Sequence, residues 1–469
     1  MTEAATPLKR TFFNRIALPI FSWGLPFHSL LVAMLFGGLG MSMGTVRALA
    51  AWKEAGVILL VLIVILRAFT GRGPRVRISW IDLAVGSLIA IGLTFLLAGK
   101  PLFRIELPPG TELYGMRDIA FFLLLYFVGR ASPEIVDDPQ TLRRLYIILL
   151  LTCAIAIVER ILVTPDMLVL LGVASYFQDF LNVSAFTAGN EFGLPTNYWT
   201  HIGNIEMQRA GSVYLSSQGF AMPFLILLPI ATAWVFGRSR RISFSMKIEY
   251  AIIWIGLLLS ITRMTIFVCL IQLVLMVIML RKPEWAVGGF IAAGLAIVVA
   301  MFVVPGLAGF IWDTLTWQTG SSASHSKDFM KGMTAFFDHP LGSGLGTTDQ
   351  SATRSGLDPL TADNGYFKYA VELGIEGLIA HVAIYAGILF TSLKVARSAS
   401  TLNRRLMGLV VLFTTVGIMI NATTGVVFNA LVVSYFYFWF AGAIVTIAQM
   451  EAAPERVRQP VPQLELSPA

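Results

Sequence analysis

Apolar runs near twenty residues long, parted by short polar stretches, dominate the chain. Crossing the bilayer's hydrocarbon core takes about 20 helical residues, so these runs are expected to be transmembrane helices. The pattern places twelve, over Phe27 to Met43, Ala51 to Phe69, Ile81 to Ala98, Leu113 to Gly129, Leu145 to Val163 and Val213 to Phe236. The others are expected over Ile248 to Leu259, Met264 to Leu280, Trp285 to Val304, Tyr366 to Leu393, Leu406 to Ile420 and Val426 to Met450. The seventh and eighth together are too long for one crossing, and Ser260-Ile261-Thr262-Arg263 supplies the polar break. Two polar intervals are long, 164–212 and 305–365, and loops of that length are usually functional or disordered. Tyr176, Phe177, Phe180, Phe186, Tyr198 and Trp199 argue for order in the first. In the second, Phe329, Met330, Met333, Phe336 and Phe337 share one helical face. That spacing predicts a helix lying on the membrane surface, with Ser324 or Ser326 as N-cap, Lys327, Asp328 and Lys331 opposite, and Pro340 ending it just after His339.

Composition agrees with a membrane chain. Of 469 residues, 56% are hydrophobic and 13% charged, against about 25% charged in soluble globules. The net charge of +7 does not point to nucleic acid, because the basic residues fall in short clusters between apolar runs. With the N-terminus in the cytoplasm, 22 of the 34 basic residues lie in inner intervals, from Lys9, Arg10 and Arg15 through Arg404 and Arg405 to Arg456 and Arg458. This bias predicts both termini inside. The chain then reads as one integral membrane domain over 1–469, with extracytoplasmic loops at 164–212 and 305–365 and a disordered cytoplasmic tail at 451–469. Lys9, Arg10 and Arg15 precede an apolar run without a small-residue cleavage site, so the first span is expected to stay as an anchor. Cys153 and Cys269 sit in apolar runs and read as core thiols, not a disulfide or metal pair.

A few polar residues could carry chemistry. Arg263 stands at the outer end of a span, where it either snorkels or forms an anion site. Arg209, in Gln208-Arg209-Ala210-Gly211-Ser212, closes the first long loop, as a juxtamembrane charge or a second anion ligand. Together they suit a pyrophosphate, since guanidinium forks bind phosphate bidentately. His339 opens His339-Pro340-Leu341-Gly342-Ser343-Gly344-Leu345-Gly346. An imidazole titrating near pH 6.5 can exchange protons at neutral pH, although a surface histidine is the plainer reading. Gly342 and Gly344 would let substrate approach the backbone, and Lys331 is a supporting candidate. The glycines have neither the Gly-Lys-Ser/Thr nor the strand-turn-helix setting of a nucleotide loop. His28, His201, His325 and His381 lack metal-ligand spacing. Lys53 with Glu54, and Arg117 with Asp118, read as helix-end charges or local ion pairs.

Taken in order, these pieces resemble the O-antigen ligase and O-antigen polymerase superfamily of bacterial envelope enzymes. They are Arg209-Ala-Gly-Ser before a span, Ser260-Ile-Thr-Arg263 opening one, the His339 to Gly346 run, and Asp363-Asn364-Gly-Tyr366 followed by Glu372-Leu-Gly-Ile-Glu-Gly377. The resemblance covers Arg209 to Gly377 by motif and the whole chain by its twelve-span profile. It implies an all-α polytopic fold of the GT-C type in the bacterial inner membrane, with a periplasmic site and short helices in the two periplasmic loops. It implies an inverting, metal-independent glycosyltransferase without cofactor, moving O-antigen from undecaprenyl pyrophosphate to a lipid A-core hydroxyl. The alternative is a polymerase using the same donor. By the resemblance, Arg209 and Arg263 bind the pyrophosphate and His339 is catalytic. Relatives carry His-Asn where this chain has Asp363-Asn364, so Asp363 either takes over a proton-handling or hydrogen-bonding role or caps the tenth span. A transporter of the same lipids should show internal repeats and midplane charges; no repeat is evident, and the charges gather at the outer mouths. A purely structural subunit would leave the outer arginines without a purpose.

Overall fold

The computed structural model describes residues 11–71, 74, 76–103, 106–183, 191–202, 205–238, 242–303, 306–316, 320–361 and 363–452. Phe186 and the tail beyond Ala452 lie outside them, as do Lys9, Arg10, Arg456 and Arg458. Every segment expected as a span overlaps a helix: α1 Phe13–Gly38, α2 Met43–Phe69, α3 Trp80–Phe103, α4 over 111–131, α5 Pro139–Leu162 and α6 Ser217–Gly237. They continue as α7 Phe244–Leu259, α8 Arg263–Met279 and α9 Pro283–Val303. The second long loop holds α10 Leu307–Leu315, α11 Gly320–Asp338 and α12 Asp349–Arg354. The chain ends in α13 Gly365–Ser398, α14 Leu402–Asn421 and α15 Leu431–Ala452. Among the described residues, eight helices are long and apolar enough to cross a membrane: α1, α2, α3, α5, α6, α13, α14 and α15. The protein is an all-α polytopic membrane protein. Helices α7 and α8, at 16 and 17 residues, reach about 25 Å at 1.5 Å per residue, short of the roughly 30 Å core. Helix α4 carries Glu112, Arg117, Asp118 and Arg130.

Helices α6, α14 and α15 are the most enclosed. Between apolar helices in lipid, close packing and interhelical hydrogen bonds must supply the attraction. The α4–α15 contact uses Gly129 and Gly442, where an added Cβ would stand 2.0 Å from the Trp439 carbonyl and 1.9 Å from the Tyr126 carbonyl. Buried Gln272 of α8 donates to the carbonyls of Leu225 in α6 (2.9 Å) and Phe413 in α14 (2.7 Å), tying three helices. Interhelix cations are neutralised: Arg130 grips Asp82 (2.9 and 3.1 Å), and Arg404 forks onto Asp137 (2.7 Å twice) while reaching Glu451 (2.6 Å). Cys153 and Cys269 are free, buried thiols.

The loops differ from expectation in detail. The first contains short helices at Pro165–Leu170, Val173–Ser175 and Tyr176–Phe180. It also contains an unanticipated antiparallel hairpin, β1 Trp199–Ile202 with β2 Ile205–Gln208; its polar–apolar alternation spans only four residues per strand, too few to stand out. Helix α11 ends at Asp338, one residue before the expected end at His339, and begins at Gly320, so Ser324 and Ser326 lie within it and neither caps it. Its packed face runs through Gly332 and buried Ala335, and the missing Cβ at Gly332 lets α11 approach Phe367. Phe329, Met330 and Phe337 stay exposed.

Candidate active site

The arginine motifs meet. The Arg209 turn is held from below by buried Glu159 of α5, whose carboxylate accepts from the amides of Gly211 (3.1 Å) and Ser212. The Ala210 amide bonds the Leu259 carbonyl at 2.9 Å. Arg209 then reaches the break between α7 and α8, donating to the Ser260 carbonyl (2.8 Å) and Thr262 Oγ1 (2.9 Å). Arg263 is the next residue and the first of α8. Burial, and secondarily the Arg263 charge, push the Arg209 guanidinium down to about 10. It is still cationic at neutral pH, so two like charges share a partly desolvated mouth, a setting that favours an anion between them.

The glycine run docks across a broken helix. Inside α13, Gly374 adopts φ 73°, ψ −169°, which interrupts the ladder and frees carbonyls one turn earlier. The loop uses them: the Ser343 amide donates to Val371 (2.7 Å) and the Gly344 amide to Glu372 (3.2 Å), while the Ile375 amide donates back to Pro340 (3.0 Å). Gly342, Gly344 and Gly346 have φ of 104°, 99° and 78°, a region L side chains avoid. Fully buried Glu372 locks the far end, accepting from the Gly346 amide (3.0 Å), the Thr348 amide (3.3 Å) and the Thr348 hydroxyl. Thus Gly342 and Gly344 make a joint between loop and helix. His339 lies just before the joint, exposed, its amide closing the last turn of α11 onto Ala335 (3.1 Å).

A cavity of about 830 Å³ opens between α1, α2, α4, the Tyr176–Phe180 turn, α12 and the segment before α15. Its walls mix aromatic faces (Phe122, Phe177, Tyr435) with Arg47, Lys53, Arg117 and Arg354 and the carboxylates of Glu54, Asp118, Asp349 and Asp363. Lys53 pairs with Glu54 (3.0 Å) and Arg117 with Asp118 (2.8 Å), so the local pairs read from sequence do form, and they face this cavity. Arg354 Nε is buried with no hydrogen-bond partner among the described residues. Asp349, at φ 56°, bonds Asn429 Nδ2 and pairs with buried Lys368 at 3.5 Å.

The candidate residues divide around this space. Asp363 lines the cavity; among the described residues His339, Arg209 and Arg263 do not, although Thr262, bonded to Arg209, also donates to the Ser217 carbonyl at 3.4 Å, between cavity-lining Ser216 and Gln218. Asn364, not Asp363, caps α13: its Oδ1 accepts from the Tyr366 and Phe367 amides (3.0 Å each) and its Nδ2 donates to Thr423 (3.1 Å). Asp363 is thereby left free of the capping role. Its amide donates to Asp328 Oδ2 at 2.8 Å, and His325 Nδ1 stands 3.5 Å from its Oδ2. Burial raises the Asp363 carboxyl above the usual range, reinforced by Asp328 and Asp349 and opposed by His325. Lys331 is occupied by Asp358 at 2.7 Å on the surface. His28 accepts from Trp52 at 3.2 Å, and His381 stacks on Tyr369 with ring centroids 3.7 Å apart. Arg47, Arg354 and Asp349 were missed from sequence, because nothing local marks which helix ends meet across 300 residues of chain.

No curated protein matches the chain. The O-antigen ligase family model matches residues 250–382, from within α7 to the middle of α13, a stretch that holds Arg263, the His339 to Gly346 run, Asp363 and the Gly374 break but not Arg209. With eight helices among the described residues able to cross a bilayer, residues 250–382 of this polytopic membrane protein are similar to the O-antigen ligase family.

Proposed function

We propose that the protein is a glycosyltransferase that moves O-antigen polysaccharide from undecaprenyl pyrophosphate to a hydroxyl of lipid A-core, at the periplasmic face of the inner membrane. The observation that carries this reading is a pair of arginines, in and beside the family match, joined through Thr262 and Ser217 to the wall of a large cavity that Asp363 lines. Arg209 and Arg263 would hold the pyrophosphate, whose departure builds negative charge; offsetting such charge is usually the largest catalytic contribution. Aromatic faces alternating with charged pairs suit a sugar, which offers apolar faces and a ring of hydroxyls. The proton of the acceptor hydroxyl needs a base within reach. Sequence put His339 in that role; the cavity lining favours Asp363, whose raised pKa makes it a better proton acceptor than an ordinary carboxylate. His339, with Gly342 and Gly344, would then set the loop against α13. The attacking oxygen displaces the pyrophosphate directly, inverting the anomeric carbon, without metal or cofactor.

The test is the glycolipid ladder of a strain lacking the gene. Full-length polymer left on the lipid carrier, with none on lipid A-core, is the expected result. Core bearing single repeats only would make the protein the polymerase. An unaltered ladder would overturn both readings, and polymer trapped on the cytoplasmic leaflet would indicate a transporter.

A further inference from the structure

We propose that Asp363 takes the acceptor proton as one half of a pair whose other half, His325, is delivered by α11; this rests on the transferase reading above. The two residues come from different elements, and the structure holds both in place. Helix α11 is clamped to the start of α13 along the face that carries His325 and Asp328, one turn apart. Asp328 Oδ2 accepts from the Thr361 hydroxyl (3.0 Å) and from the Asp363 amide (2.8 Å). Gly332, one turn further, lies flat enough on Phe367 and Thr361 that a Cβ there would stand 3.1 Å from each. The clamp leaves His325 Nδ1 3.5 Å from Asp363 Oδ2, buried, and with no hydrogen-bond partner among the described residues. A buried imidazole nitrogen is expected to find a hydrogen-bond partner, and the Asp363 carboxylate stands nearby to serve as one. The capping of α13 is already done by Asn364, so the cap does not account for the place of Asp363 on the cavity wall.

In the step, the acceptor oxygen's electron pair forms the bond to the anomeric carbon. The bond from that carbon to the pyrophosphate oxygen breaks, its pair leaving on the pyrophosphate. The hydroxyl proton passes to the Asp363 carboxylate. His325 is a positioning residue: it fixes the carboxylate and, by its electrostatic effect, keeps Asp363 ionised over a wider pH range. The other charges facing Asp363 are Asp328 on α11 and Asp349 on α12, the latter paired with Lys368 of α13, with Arg354 on the same cavity wall. Burial first, and then the two carboxylates, raise the Asp363 pKa, and His325 is set against them.

The experiment uses the full chain in lipid nanodiscs with lipid-linked polysaccharide and lipid A-core, followed against pH. Transfer falls as the pH drops through the Asp363 pKa. Removing His325 lets that pKa rise further, so His325→Gln should shift the acid limb to higher pH, a displacement that a merely structural role would not produce. Asp363→Asn should lose about 10²–10⁴-fold in rate. An acid limb unmoved in His325→Gln overturns the role. Pairing is checked without turnover: His325→Cys with Asp363→Cys should be bridged by dibromobimane in native membranes, and no bridging overturns the pair whatever the enzyme transfers. Bridging in the double-cysteine variant, beside a wild-type chain that transfers sugar to neither core nor repeat unit, overturns the transferase reading and the catalytic role with it.

Discussion

Replacing Gly374 by alanine tests the joint between the glycine run and α13. The backbone there, φ 73° and ψ −169°, lies in a region open essentially to glycine, and forcing another residue into it costs about 1–3 kcal/mol. The new Cβ would stand 2.6 Å from the Leu341 carbonyl carbon and 2.8 Å from its oxygen. Those are backbone atoms, which cannot rotate aside, so the loop must lift. Lifting breaks the bonds Ser343 to Val371, Gly344 to Glu372 and Ile375 to Pro340, each worth about 1 kcal/mol net. The sum is about 4–6 kcal/mol if all three are lost. Thermal unfolding in detergent and protease nicking within 339–346 read the loss. The control is Gly288→Ala in α9, where an added Cβ meets nothing within 4 Å. A Gly374→Ala protein that melts with the wild type and resists nicking would refute the docking account.

Three further outcomes follow from the same geometry. Arg404→Ala takes the guanidinium fork from the Asp137 carboxylate, buried to 3% side-chain exposure, and removing one partner of such a buried pair should cost up to about 3–5 kcal/mol, read as lost folded yield. Glu159→Ala orphans the Gly211 and Ser212 amides and loosens the Arg209 turn, so KM for the lipid-linked donor should rise; an unchanged KM would count against Arg209 as a donor ligand. Arg209→Lys cannot serve the Ser260 carbonyl and Thr262 together, so kcat/KM should fall by about tenfold or more, whereas wild-type kinetics would remove the guanidinium fork from the account.

Much of the fold was legible because lipid imposes it: apolar length marks the helices whatever their neighbours, and the period of Phe329 to Phe337 with Pro340 announces α11 and, to within a residue, its end. The starts of helices were less legible. The first one begins near Phe13 rather than Phe27, since Asn14 and Arg15 read as polar in sequence while in the fold Asn14 is buried beside Asp138. The meeting of Arg209 with Ser260 to Arg263 could be suspected from two cations at span mouths, but the break at Gly374 could not, because a single glycine in an apolar run is ordinary. The same holds for the division of labour at Asp363 and Asn364: adjacent polar residues before a helix compete for the cap, and only the Thr423 carbonyl, about sixty residues away, decides that Asn364 takes it. His339 stood out in sequence as the one titratable group in a glycine-rich run, whereas His325 had no local sign of its partner.

The central proposal is that proton transfer belongs to Asp363 on the cavity wall. The most direct measurement is transfer of polysaccharide to lipid A-core by purified Asp363→Asn and His339→Ala proteins of matched thermal stability. The account predicts a loss of about 10²–10⁴-fold for Asp363→Asn and retention of most of the rate for His339→Ala. An active Asp363→Asn protein beside an inactive but folded His339→Ala protein would contradict it.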